Sequence, residues 1–106
     1  MDLFPLADVL ALEGGPYREF LRVRDLSVGL YVLGTGAVDG QSPHTEDEIY
    51  VVMAGRGRFT AGDDTRDIGP GDTIYVAAAV AHRFHDIAEE LQLIVVFAPP
   101  EDSRKG

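Results

Sequence analysis

Cysteine and tryptophan are both absent from this chain of 106 residues, and basic side chains are scarce. Without cysteine the chain forms no disulfide and offers no thiolate, so any metal must be held by His, Asp or Glu. Lys and Arg number 9 against 18 Asp and Glu, which gives a formal net charge of −9. An acidic surface of this kind repels phosphate backbones, so we expect no nucleic-acid partner.

Long apolar runs are also missing. No stretch approaches the roughly 20 apolar residues that a membrane-spanning helix needs. The opening MDLFPLADVLALEGG carries acids where a signal peptide would carry basic residues before a long apolar run. We therefore expect a soluble, cytoplasmic protein with no membrane partner.

Glycine and proline are plentiful by contrast, with 12 and 6 copies, and they divide the chain into short apolar runs. A hydrophobic fraction of 45% is enough for a core, and the length suits one domain. Short apolar runs between turn residues are typical of an all-β sandwich or barrel. The exception is the start, where Leu6, Val9, Leu10 and Leu12 recur at near-helical spacing and predict a short helix, although so brief an apolar run also allows a strand.

The predicted strands cover residues 19–24, 26–33, 49–54, 58–61, 65–68, 73–76, 83–87 and 91–98. The continuous apolar run of residues 49–54 indicates a strand that is buried on both faces. Gly55-Arg56-Gly57 is interpreted as a tight connection, and Gly62-Asp63-Asp64 as a hairpin turn. The last two strands are interpreted as a pair joined around Glu89-Glu90.

Three polar residues form the constellation that carries chemistry. His44 and Glu48 have equal parity, so both point to one face if the segment between them is extended. His82, on a neighbouring strand, would complete a set of two histidines and one carboxylate. Such a set suits Fe, Mn, Ni or Zn and leaves coordination positions open for water, substrate or dioxygen.

Two sequence motifs resemble those of the small, single-domain cupins with a conserved barrel. The first cupin motif, G-x5-H-x-H-x(3,4)-E-x6-G, is matched by Glu48 and Gly55, with His44 at the second-histidine place. The second, G-x5-P-x-G-x2-H-x3-N, is matched by Gly71 and His82 at the right spacing. The resemblance covers residues 29–99 and implies an all-β, double-stranded β-helix barrel (the jelly roll of RmlC-like proteins).

The chain departs from both motifs. Ser42 stands at the first-histidine place, Ala77 and Ala79 replace the proline and glycine of the second motif, and Asp86 replaces its closing asparagine. The usual cupin set of three histidines and one glutamate is thereby reduced to His44, Glu48 and His82, which implies a weaker site for one divalent metal. Ser42 is a candidate accessory ligand, through its hydroxyl or a water that it holds.

Other residues compete for these roles. Glu46 shares the parity of the ligands and is a possible accessory ligand, although a bend there would make it a solvated acid. Glu48 could instead pair with an arginine, because a buried carboxylate needs a cation. His85 would face away from His82 on a strand. Tyr31 and Phe84 are predicted to line the barrel mouth, where a small ligand would bind.

The resemblance leaves the function open between two classes. One is a metal-binding cupin for a small oxygen-rich ligand, such as a metal-dependent dioxygenase or isomerase. The other is a metal-free module that binds a ligand or regulates without turnover. We expect an N-terminal extension over residues 1–28, a barrel over 29–99 and a flexible tail over 100–106. We also expect a homodimer, formed by apolar residues of the extension: Phe4, Leu6, Leu10, Phe20 and Leu21.

Overall fold

The protein is an antiparallel β structure with one short helix in the part of the chain that the structure, a computed structural model, describes (residues 1–40 and 43–103). The elements are α1 (Leu6–Leu10), β1 (Tyr17–Arg22), β2 (Ser27–Leu33), β3 (Asp47–Ala61), β4 (Asp64–Ile68), β5 (Thr73–Val76) and β6 (His82–Ala98). The predicted all-β class, the N-terminal helix and the hairpin before β4 are confirmed. Among the described residues, no helix is long and apolar enough to cross a membrane.

The two long strands, β3 and β6, form the spine of the fold. The strands are ordered β1-β2-β6-β3-β4, and β5 pairs with the first part of β3.

Two predictions about the long strands β3 and β6 are wrong. Residues 55–57 lie inside β3, and Glu89-Glu90 lies inside β6. Both segments stay within their strands because β3 and β6 pair with each other from Asp47↔Ala98 to Ala61↔His82.

β3 folds back on itself and thereby closes the barrel. Tyr50 and Phe59 lie nine positions apart, which in a straight strand would separate them by about 30 Å. Their ring centroids are 5.8 Å apart. The register with β6 shifts three times between Val52 and Arg58, and such bulges bend a strand.

Gly55 is the residue that permits the bend. Its φ is +95°, which side-chain-bearing residues rarely adopt, and an added Cβ would lie 2.1 Å from the carbonyl oxygen of Glu90. The glycine that resembles a turn residue in the sequence therefore serves a bulge inside a paired strand. This bulge allows β3 to bend sharply while it stays paired in the sheet.

The core lies on the inner face of the bent strands. Burial along β3 alternates, with Tyr50 and Val52 inside while Ile49 and Met53 are 39% and 38% exposed. The prediction that residues 49–54 are buried on both faces is therefore wrong, because the run has an apolar outer face as well as an apolar inner face. The inner residues form one cluster, and the rings of its members Tyr50 and Phe59 lie against His82, the first residue of β6.

Candidate metal centre

Glu48 and His82 meet inside the barrel. Glu48 is the second residue of β3 and His82 is the first residue of β6, and both side chains point inward with about 1% of their surface exposed. Glu48 Oε1 lies 2.8 Å from His82 Nε2. The structure thus brings together two of the three predicted ligands in a setting that water barely reaches.

The imidazole of His82 is held from both sides. Its Nδ1 lies 2.8 Å from the carbonyl oxygen of Val80, and its Nε2 lies 3.0 Å from the Tyr50 hydroxyl. Because a carbonyl only accepts, Nδ1 carries a proton and Nε2 is the atom presented to Glu48. Burial alone would lower the pKa of His82, but the hydrogen bonds that its ring donates to the Glu48 carboxylate and to the Val80 carbonyl raise that pKa overall above the ordinary value.

Glu48 keeps one oxygen without a partner. Its Oε2 is buried and makes no hydrogen bond within the described part of the chain. An unpaired carboxylate oxygen in an apolar interior is costly, and a cation bound there removes the cost. The donor set of one imidazole nitrogen and one carboxylate, with a backbone carbonyl behind the imidazole, fits a divalent transition metal.

His44 stands at the edge of this pair. Its ring centroid is 6.1 Å from that of His82 and 4.8 Å from that of Phe97. Its backbone oxygen accepts a hydrogen bond of 2.7 Å from the amide of Ala79, which fastens the loop that carries His44 to the turn before β6. His44 therefore faces the same end of the barrel as His82, and its ring lies near those of both His82 and Phe97.

His44 also belongs to a second cluster of potential ligands. One ligand atom each from His44, Glu46 and Asp102 lie within 4.8 Å of one another. Glu46 is 1% exposed, so the interpretation of this residue as a solvated acid is wrong. Its Oε1 accepts a 2.8 Å hydrogen bond from the amide of Asp102, and the Thr45 hydroxyl donates to its Oε2. Glu46 is buried because it anchors the C-terminal segment.

The remaining candidates lie elsewhere. Ser42 is outside the described residues. His85 hydrogen-bonds to Thr60 and Asp86, away from Glu48. The arginine alternative for Glu48 does not match the observed contacts, in which His82 is its partner.

A cavity of about 340 Å³ opens beside His44. The rings of Tyr17, Tyr31 and Phe97 form much of its wall, and Glu101 contributes a carboxyl group. Phe84 is not among its lining residues; it is 1% exposed and packs in the core against Tyr50 and Phe59. The structure thus places Tyr31 on the cavity wall, whereas Phe84 lies in the core away from it.

Glu101 comes from a stretch that the sequence assigns to a flexible tail. Its Oε2 lies 3.9 Å from His44 Nδ1, and its amide donates a 2.9 Å hydrogen bond to Ser27 Oγ. Burial raises the pKa of Glu101 to about 7, and the neighbouring Asp102 and Glu19 carboxylates add to the effect. The first part of the predicted flexible tail is thus fixed by hydrogen bonds at Glu101 and Asp102. The residues after 103 are not described, and for them the flexible tail stays a prediction.

Comparison with known proteins identifies the family. The family model described as "Cupin domain" matches residues 29–98, well over half of the chain. The chain belongs to the cupin family. An uncharacterised protein of Streptomyces coelicolor is 50% identical over 91 residues, covering 86% of this cupin and 87% of the relative.

Solved structures show the same fold. The Bacillus halodurans protein BH2720 superimposes with a TM-score of 0.82 at 20% identity, covering 93% of this cupin and 81% of that chain. An RmlC-like cupin family protein with a double-stranded β-helix fold, from Methanocaldococcus jannaschii, gives a TM-score of 0.71 at 18% identity, with 78% of each chain covered. The predicted double-stranded β-helix is confirmed.

Two departures of this cupin from the second motif lie at residues with a left-handed backbone conformation. Ala79, at the glycine place, has φ +66°, and Asp86, at the asparagine place, has φ +48°. Glycine and asparagine are the residues that adopt this left-handed region most readily. The substitutions therefore preserve the turn and leave His82 in position, at a conformational cost to Ala79.

Sequence reasoning missed Asp39, which organises the loop before His44. Asp39 is 8% exposed, and its two oxygens accept hydrogen bonds of 2.6 Å from the Tyr31 hydroxyl and 2.9 Å from the Phe84 amide. The hydrogen bond to Asp39, together with burial, raises the pKa of Tyr31. An isolated Asp between two glycine-containing turns gives no sequence signal for such a role, because its partners are distant along the chain.

Proposed function

We propose that this cupin holds one divalent metal ion with Glu48, His82 and His44, and that it binds a small ligand in the cavity beside His44. The observation that carries the proposal is the buried Glu48–His82 pair, in which Glu48 Oε2 has no hydrogen-bond partner among the described residues. Such an oxygen is poorly explained by packing alone, since the surrounding cluster is apolar.

The protein's own groups prepare the two ligands. Val80 fixes the proton of His82 on Nδ1, so Nε2 offers its lone pair to an ion when the ring is neutral. The Tyr50 hydroxyl lies beside the site, at 3.0 Å from the same nitrogen. When bound, an ion with this donor set supplies a Lewis acid with open coordination positions. Either dioxygenase or isomerase chemistry fits that arrangement.

A second candidate function, a metal-free binding module, has an observation of its own. At 2.8 Å the Glu48–His82 contact has the length of a charge-assisted hydrogen bond, and a protonated His82 would satisfy Glu48 Oε1 without an ion. His44, the third proposed ligand, is grouped with Glu46 and Asp102 instead. In this alternative the cavity binds a ligand without turnover.

Metal content separates the two functions. The protein should be purified without an affinity tag or added metal and measured by elemental analysis, where we expect about one Fe, Mn, Ni or Zn per chain. His82→Ala should lose the ion. His85→Ala is the matched control, because His85 contacts Thr60 and Asp86 rather than Glu48. A wild-type chain that stays metal-free after dialysis against each ion would favour the binding module.

We also propose a homodimer, on the outer face of the sheet. One cross-strand row on this face consists of apolar side chains: Val28, Val96, Ile49 and Tyr75. Tyr75 is 62% exposed and Ile49 is 39% exposed. The ring of Phe4 packs against that of Phe20, with 5.1 Å between the ring centroids, which gives the N-terminal extension an apolar surface as well. Light scattering of Tyr75→Asp against wild type tests this: an unchanged mass would place any interface elsewhere.

A further inference from the structure

The C-terminal segment forms part of the wall of the ligand cavity. The cavity volume of about 340 Å³ is near the lower end of the range for ligand pockets, which suits a small molecule. Its wall combines aromatic rings and aliphatic side chains with the imidazole of His44 and the carboxyl group of Glu101. Among the described residues that line it there is no Lys or Arg.

Glu101 is held in place by its backbone. Its amide donates to Ser27 Oγ, in a residue with 0% exposure, and its carbonyl oxygen accepts a 2.8 Å hydrogen bond from the Arg22 guanidinium. Asp102, the next residue, is fixed by its amide to Glu46 at 2.8 Å. With the backbone secured at both residues, the Glu101 carboxyl stays at the cavity mouth, 3.9 Å from His44 Nδ1.

The charges around Glu101 are mostly negative. The carboxylates of Glu19, Glu46, Glu48 and Asp102 are near enough to act on it. Arg22, the nearby cation, is shared between the Glu19 side chain at 3.0 Å and the carbonyl of Glu101. In the metal-free protein, a ligand with its own carboxylate or phosphate would therefore enter a repulsive field, whereas an N–H donor would find an acceptor.

We propose that this cavity selects a small, mainly apolar molecule that carries a positively charged or neutral N–H donor group and no anionic group, and that Glu101 determines this selectivity. The inference rests on the proposed function only for the location of the ligand beside His44. Sugar phosphates and carboxylic acids are thereby excluded as ligands of this cavity. Glu101 contacts the small molecule directly and is not one of the residues that would hold the metal ion.

Three probes of nearly equal shape test the proposal: benzamidinium, benzamide and benzoate. Their binding is measured by chemical-shift titration of the full ¹⁵N-labelled chain at about pH 8, where all three charges are fixed. The titration is run on the protein as purified and again after chelation of any metal. We expect affinity to fall in the order given, with benzoate about tenfold weaker than benzamidinium.

Variants of Glu101 assign the effect to this residue. Glu101→Gln should remove most of the difference between benzamidinium and benzoate, and Glu101→Lys should reverse the order. Glu90→Gln is the control, because Glu90 is an exposed carboxylate in the middle of β6, and it should leave the order unchanged. The amide spectrum of each variant shows whether it is folded.

Several results would overturn the proposal. These are tighter binding of benzoate than of benzamidinium by the chelated protein, an order that survives Glu101→Gln, or no shift changes near the cavity with any probe. Elemental analysis keeps this test separate from the metal proposal. A metal-free chain with the expected order retains the selectivity and loses the metal function, whereas a metal-loaded chain without the order does the reverse.

Discussion

Ala79 occupies a backbone conformation that is unfavourable for any residue with a Cβ. Its φ is +66°, and its amide donates a 2.7 Å hydrogen bond to the backbone oxygen of His44, so the turn cannot relax without releasing the loop that carries His44. The left-handed conformation costs an L-residue about 1–2 kcal/mol. Glycine removes that cost but makes the unfolded chain more flexible, by about 0.5–1 kcal/mol. Ala79→Gly should therefore stabilise the fold by about 0.5–1 kcal/mol.

Thermal and urea unfolding measure this gain. For a domain of this size, we expect a rise in Tm of roughly 2–8 °C with no change in the urea m-value. Ala77→Gly is the matched control, since Ala77 is exposed and is not among the residues with positive φ. It should lose about 0.5–1 kcal/mol. If Ala79→Gly is no more stable than Ala77→Gly, the strain at Ala79 is not real and the reasoning fails.

Three further predictions concern the bend, the loop and the C-terminal segment. Gly55→Ala should destabilise the fold by about 3 kcal/mol or more in urea unfolding, because its Cβ would lie 2.1 Å from the Glu90 carbonyl oxygen; a loss under about 1 kcal/mol would contradict the bulge geometry. Asp39→Asn should cost about 2–3 kcal/mol, since an amide offers only one acceptor oxygen where two donors converge; wild-type stability would show that this carboxylate does not hold the loop. Glu101, whose pKa is about 7 when folded and 4.5 otherwise, binds more protons in the folded state between these values, so the stability of the metal-free protein should fall by roughly 1–2 kcal/mol from about pH 5 to pH 8. Glu101→Gln should flatten that dependence, and an equal slope in the variant would refute the assignment.

Much of the barrel and of the candidate site follows from local sequence pattern. Strand parity and the motif spacing place Glu48 and His82 on inner faces, and pairing of β3 with β6 brings them to 2.8 Å. The same local patterns give wrong predictions where glycines or adjacent glutamates, which are typical of turns, lie inside a paired strand. Gly55 bends β3 without ending it, and Glu89-Glu90 stays in β6 because the partner strand supplies the hydrogen bonds.

The structural effect of a departure from a sequence motif is easier to judge from backbone dihedral angles than from the residue types alone. Ala79 and Asp86 replace the glycine and asparagine of the second cupin motif, which suggests a loosened turn. Both residues nevertheless have positive φ values, and the hydrogen bond from the Ala79 amide to the His44 backbone oxygen helps to hold the turn in this conformation. The imidazole of His82, which lies between them in sequence, keeps its contact with the Val80 carbonyl.

The chemistry of the cavity depends on residues outside the stretch that matches the cupin family. The match ends at residue 98, yet Glu101 lies on the cavity wall and Asp102 is fixed to Glu46. Tyr17, which precedes the match, packs so closely over Gly29 that a Cβ there would lie 2.4 Å from its hydroxyl oxygen. These contacts join parts of the chain that are far apart in sequence, and no local pattern predicts them. The barrel therefore supplies the Glu48–His82 pair, whereas the two ends of the chain shape what can approach it. Cupins that share the motifs but differ at these ends should accordingly differ in the charge of the ligands they accept.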